Sequence, residues 1–139
     1  MLHQARRLQQ RIMMTGRDEM VEVRFEEDRE KGVLSMELRG HAGFAELGRD
    51  PVCAGASVLA MTLAQCAKAM EEAGRLRKKA HILLRGGRAL VTVKPREDFL
   101  DEARHLFWVG ETGLRLLAEA YPENVSVKMN TEERIRKSE

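Results

Sequence analysis

The stretch Gly40-His41-Ala42-Gly43-Phe44-Ala45-Glu46-Leu47-Gly48-Arg49-Asp50-Pro51-Val52-Cys53-Ala54-Gly55-Ala56-Ser57 divides the chain into two strands before it and a long helix after it. It reads as a strand end, a loop with glycines at both ends, and a helix start. Asp is a favoured N-cap, and Pro is favoured at the first helical position because its missing N–H would lack a partner there anyway. Asp50-Pro51 therefore makes Cys53 the third helical residue. His41 lies twelve positions ahead of Cys53, across a loop able to bring the two together. A cysteine with a histidine elsewhere in the chain is a candidate nucleophile when its surroundings suit.

Upstream of this stretch the period is two. Val21, Val23 and Phe25 alternate with Glu22, Arg24 and Glu26, and Leu34, Met36 and Leu38 alternate with Ser35, Glu37 and Arg39, the pattern of half-buried strands. The polar run Glu26 to Gly32 reads as the turn between them. Continued literally, the alternation puts His41 on the polar face, but Gly40 can take a bulge or a positive φ, so the ring's direction stays open.

Downstream, the helix runs to about Gly74, with Val52, Ala56, Leu59, Leu63, Ala67 and Met70 on one apolar face. Its small residues Ala60, Ala64, Cys66 and Ala67 leave room for a partner helix or a second copy. Two runs, 82–85 and 89–93, flank Gly86-Gly87, a hairpin signal of the type I′ kind in which both central residues need φ > 0. From about Asp98 to Tyr121 the spacing of Phe99, Ala103, Leu106, Val109, Gly113, Leu114 and Leu117 is helical again. Gly110 and Gly113 cost that helix about 1 kcal/mol each and mark a close helix contact. Val125, Val127 and Met129 form a last strand ahead of a charged tail at 131–139. The order ββαββαβ predicts an α+β domain, a mainly antiparallel sheet of about five strands carrying two packed helices.

Composition sets the outer limits. A chain of 139 residues suits one domain, expected over 20–130, behind an N-terminal extension at 1–19 that is disordered or partly helical. The formal net charge is +2, yet Arg6, Arg7, Arg11 and Arg17 precede the first acid, Asp18, so the basic excess belongs to the extension. That segment has neither the apolar centre nor the cleavage site of a secretion signal. No apolar run in the sequence reads as long enough for a membrane span. Cys53 and Cys66 face different ways on one helix and are expected as free thiols, which suits the cytoplasm.

The chemistry concentrates at the helix start. A cysteine attacks as thiolate, and unpaired N–H groups in a first helical turn favour negative charge. His41 can take the proton or form an ion pair with the thiolate. First-turn amides, that of Cys53 included, are then placed to donate to the oxyanion of a tetrahedral intermediate. Asp50 alone works against the thiolate by like-charge repulsion, unless it caps the helix or orients His41. Ser57, one turn beyond Cys53, is either a hydrogen-bonding neighbour of the thiol or a polar residue at a helix edge. His41, Cys53, Cys66 and His81 lack the close pairs of a zinc site, so no metal and no cofactor are expected. Arg75, Arg77, Lys78, Lys79, Arg85 and Arg88 form a basic cluster near the hairpin, read as a solvated face or as a contact for RNA or a ribosomal surface.

Gly40-His41-Ala42 followed by Gly48-Arg49-Asp50-Pro51-Val52-Cys53-Ala54-Gly55-Ala56-Ser57 resembles the signature of the ribosomal-processing cysteine proteases called Prp, and Tyr121-Pro122-Glu123-Asn124-Val125 is similar to a second stretch of that family. The likeness spans roughly residues 20 to 130. It implies a cytoplasmic, homodimeric endopeptidase that removes the N-terminal extension of large-subunit ribosomal protein twenty-seven, cutting after Phe-Phe. By matching position it implies Cys53 as nucleophile, His41 as general base and later acid, Asp50 as a supporting residue, and a mobile loop that includes Gly43, Phe44 and Gly48. The apolar groove for the substrate is expected from the second helix and the Phe44 loop. Departures from the family pattern are the extension before Met20 and Pro51, where a β-branched residue is common. The alternative is a non-catalytic ribosome-assembly or RNA-binding factor using the basic cluster, with direct nucleic-acid contact left open; a thiol redox sensor lacks a resolving cysteine nearby.

Overall fold

A computed structural model describes residues 20–41 and 50–131. The extension at 1–19, the tail beyond Thr131 and the loop with Gly43, Phe44 and Gly48 lie outside the described residues. The elements follow the expected order: β1 (Val21–Asp28), β2 (Val33–Arg39), α1 (Pro51–Glu72), β3 (His81–Arg85), β4 (Arg88–Val93), a 3-10 turn (Glu97–Phe99), α2 (Leu100–Ala120) and β5 (Val125–Thr131). The five strands form one sheet in the order β3-β4-β2-β1-β5. Pairings β1–β2, β2–β4 and β3–β4 are antiparallel, while β5 runs parallel to β1.

Alternation explains the core. Val21, Val23 and Phe25 of β1, Leu34, Met36 and Leu38 of β2, and Ala89, Val91 and Val93 of β4 are buried in one cluster with Val52, Ala56, Ala60, Leu63, Ala64, Ala67 and Met70 of α1 and Ala103, Phe107 and Leu114 of α2. Phe25 meets Phe107 edge to face at 6.4 Å. The two helices thus cover one sheet face, and the residues between the buried ones in β1, such as Glu22, Arg24 and Glu26, are exposed on the other.

The close helix contact expected at the α2 glycines is present. A Cβ on Gly113 would fall 2.7 Å from Leu59 Cδ2, and one on Gly110 would fall 3.7 Å from Leu63 Cδ2. α2 of the same chain is thus a partner helix of α1.

Three local readings change. β1 continues through Glu26, Glu27 and Asp28, so the turn is shorter than the polar run suggests, and Lys31 N–H donates to Asp28 Oδ1 at 3.0 Å to close it. Glu27 then falls on the buried face, where Arg104 Nε (2.9 Å) and Arg29 Nε (3.2 Å) compensate its carboxylate. Val109 leaves the expected apolar stripe and is exposed, because it sits about 120° around the helix from Ala103; Phe107 takes the buried place. At the β3–β4 hairpin only Gly87 has positive φ, +75°, so the turn is not type I′.

By length and composition α1 could cross a membrane, which the sequence reading did not allow for. Seven of its residues pack in the core described above, as in a core helix of a globular domain.

Candidate active site

Asp50 starts α1 as its capping chemistry requires. Its backbone is extended, and Oδ1 accepts from Val52 N–H at 2.8 Å and from Cys53 N–H at 3.1 Å. The Ala54 N–H donates to Asp50 O at 3.0 Å, and Pro51 has none to offer. The amides expected to hold an oxyanion are therefore engaged: the cap that builds the first turn occupies the donors of Val52 and Cys53. Asp50 itself is buried. Asp50→Ala should lower stability by about 1 kcal/mol, within a usual range of about 0.5 to 2, whereas Asp50→Asn should cost only a few tenths, since Asn caps nearly as well. Urea denaturation of both variants checks this, and an equal loss in the two would mean that the cap is not what Asp50 contributes.

Gly40 settles the direction left open by the alternation. Its φ is +96°, and a Cβ there would fall 2.3 Å from the Met20 carbonyl oxygen, so no other residue fits without moving β1. The chain turns at this point, and His41 lines a cavity of about 440 Å³ together with Cys53 and Ser57. Val21, Leu38, Ala56 and Ala60 supply its apolar lining from the core side. Met61 of α1 and Leu84 to Ala89 of the β3–β4 hairpin complete it. Both Met61 and Leu84 are among the exposed large apolar side chains, which gives the cavity an apolar rim.

The hairpin wall was not anticipated. The groove was expected from α2 and the Phe44 loop, but among the described residues α2 contributes nothing to this cavity. The hairpin side of this cavity follows from the pairing of β4 with β2, which sets Arg88 opposite Arg39 and so carries the turn to the end of β2 beside His41. Arg88 is held there by Glu37, Nη2 to Oε2 at 3.0 Å, and Arg39 binds the same carboxylate at 3.2 Å. Burial alone would raise the Glu37 pKa, yet the hydrogen bonds from Arg88 and Arg39 outweigh it and hold the carboxyl below its ordinary value.

The basic cluster does not form one face. Arg75 is paired with Glu102 and lies over the Phe99 ring at 5.1 Å. Arg77 donates to the carbonyls of Pro95 (3.1 Å), Lys31 (2.8 Å) and Gly32 (3.0 Å), tying three segments together. Arg85 at the end of β3 and Arg88 at the start of β4 lie at the hairpin turn, at the cavity. Cys66 lines a separate groove with Met70 and Leu106, and neither cysteine is in a disulfide. Among the described residues no three His, Cys, Asp or Glu side chains are grouped to hold a metal. The Tyr121 to Val125 stretch is a turn: Asn124 and Val125 N–H both donate to Tyr121 O at 3.0 Å, and Val21 N–H donates to Asn124 O at 2.8 Å, which docks β5 beside β1.

Sheet, helices and cavity together define an α+β domain with a cysteine in the first turn of its long helix and a histidine in the same cavity. Residues 20–126 match the family described as cysteine protease Prp, and the chain belongs to that family. The ribosomal processing cysteine protease Prp of Bacillus subtilis (strain 168) is 45% identical over 40 residues, which are 29% of this chain and 36% of that protein. The crystal structure of SMU.848 from Streptococcus mutans is similar with a TM-score of 0.58 and 30% identity, over 84% of this chain and 99% of that one. The essential ribosomal processing protease Prp from S. aureus, in complex with a covalently linked product peptide, is similar with a TM-score of 0.59 and 25% identity, over 79% of this chain and 99% of that one.

Proposed function

We propose that this protein is a cysteine endopeptidase that removes the N-terminal extension of large-subunit ribosomal protein twenty-seven, cutting after Phe-Phe, with residues 20–130 as the protease domain. The observation that carries the reading is that Cys53, in the first turn of α1, and His41, turned by Gly40, line one apolar-rimmed cavity. The covalently bound product peptide of the S. aureus relative supports a peptide substrate. In this reading His41 takes the Cys53 proton, the thiolate attacks the scissile carbonyl, His41 returns the proton to the leaving amine, and water releases the acyl-enzyme. The oxyanion can use the Cys53 N–H only after Asp50 Oδ1 has left it. Ser57 stands at the cavity edge as a polar neighbour for the peptide. Met61 and Leu84 offer the phenylalanine side chains an apolar surface. Cytoplasmic location and a homodimer belong to the same proposal and rest on the family.

The reading of a nucleic-acid-binding factor loses support because Arg75, Arg77 and Arg88 already have partners within the fold. Incubation of the protein with the extended ribosomal protein under reducing conditions should yield two products whose masses place the cut after Phe-Phe. A cut at another peptide bond would keep the protease and overturn the site preference; an intact substrate would overturn this substrate.

A further inference from the structure

The β3–β4 turn lies closer to His41 than a side chain would permit. A Cβ built on Gly87 falls 2.9 Å from His41 Nε2, 3.3 Å from Cε1 and 3.6 Å from Cδ2. The first of these distances lies inside van der Waals contact, so one edge of the imidazole occupies the volume of the missing side chain. The backbone is tied at the same place, where Gly40 N–H donates to Gly87 O at 2.9 Å. The residue before His41 is thus pinned to the turn on which the ring rests. The turn itself has little freedom: Ala89 and Val91, further along β4, are buried, and Arg88 is bound to Glu37.

We propose that Gly87 is a positioning residue for the peptidase reaction, its missing side chain setting where the His41 imidazole stands relative to the Cys53 thiol. The inference rests on the Cys53–His41 reading above. A Cβ at Gly87 displaces the ring or forces another rotamer, and a misplacement of about 1 Å costs on the order of 100-fold in rate. Among the described residues, the charged groups that line the cavity are Arg85 and Arg88 of the hairpin; Glu37 binds Arg88, and Asp50 caps the turn that carries Cys53. Substitution of Gly87 changes the chemistry of none of these four groups, so a changed pH response of the thiol is read together with the Gly74 and His41 variants.

The test compares Gly87→Ala and Gly87→Asn with His41→Ala and Gly74→Ala. Gly74 has φ +72° with nothing within 4 Å of its absent Cβ, so Gly74→Ala imposes the backbone strain without the obstruction. Asn tolerates positive φ better than Ala does, so Gly87→Asn adds the obstruction with less strain and carries the test if Gly87→Ala fails to fold. Alkylation of Cys53 by iodoacetamide is followed against pH by peptide mapping, with Cys66 as internal reference, and turnover is followed on the extended ribosomal protein. Both Gly87 variants should move the Cys53 profile toward that of His41→Ala and lower kcat by about 10- to 100-fold, with KM changed by less than about threefold. Gly74→Ala should match the wild type in both. Gly87 variants with wild-type profile and turnover, beside a shifted His41→Ala, overturn the seat and leave the dyad standing. An equal loss in Gly74→Ala assigns the effect to strain and overturns the seat as well. A wild-type profile in His41→Ala overturns dyad and seat together.

Discussion

Cys53→Ser should lose at least about 10⁴-fold in turnover of the extended ribosomal protein while keeping the fold. The substitution exchanges sulfur for oxygen on an unchanged frame, so the cap from Asp50 and the packing of α1 remain. What changes is nucleophilicity: a hydroxyl holds its proton far more tightly than a thiol, and in the proposed reading His41 would have to remove it. Cys53 is half-buried, with its side chain at a cavity, so thermal unfolding should shift by no more than a few degrees. Product masses and a melting curve from the same preparation check both halves. Turnover within tenfold of the wild type would remove Cys53 as nucleophile, whatever the family.

Phe25→Ala should cost about 3 to 5 kcal/mol, the range for deleting a buried aromatic ring. The side chain is among the largest fully buried ones, lies on the central face of β1, and holds the edge-to-face contact with Phe107 that joins α2 to the sheet. A domain of this size shifts its Tm by about 3 to 4 °C for each kcal/mol, so melting should fall by roughly 10 °C or more. Trp108→Ala removes a ring of larger size but one that is 61% exposed, and should stay within about 0.5 kcal/mol. Comparable losses in the two would show that burial, as described, does not govern the stability of this sheet.

The contrast between legible and illegible features follows from how far each cause reaches along the chain. Asp50-Pro51 predicted the start of α1 because capping is settled within three residues, and Val21, Val23 and Phe25 predicted the buried face of β1 because alternation is local. The glycines of α2 pointed to a close contact, since a helix tolerates them at a cost that needs a reason. Glu27 misled: a carboxylate belongs in a turn unless a cation arrives, and here Arg104 comes from a distant helix. The candidate site divides in the same way. His41 and Cys53 stood out by type and spacing, and Gly40 warned that the alternation could break. That the break turns His41 toward the hairpin, and that Gly87 lies beneath it, depends on β4 pairing with β2, which nothing near either glycine announces. The sequence pointed to α2 and the Phe44 loop for the substrate groove; the hairpin side of the cavity is visible only through that pairing.

The parallel ladder between β1 and β5 has a consequence for how the molecule comes into being. Val21 pairs with Val125, so the first strand of the domain is completed by the last, across almost its entire length. Such a contact closes a very long loop and raises the contact order, which slows folding relative to the neighbouring β1–β2 hairpin. During synthesis, β1 and β2 emerge early and can pair at once, but one edge of β1 stays bare until β5 leaves the exit tunnel. Until then that edge, apolar on one face, stays open to wrong partners longer than the β2 edge that β4 covers.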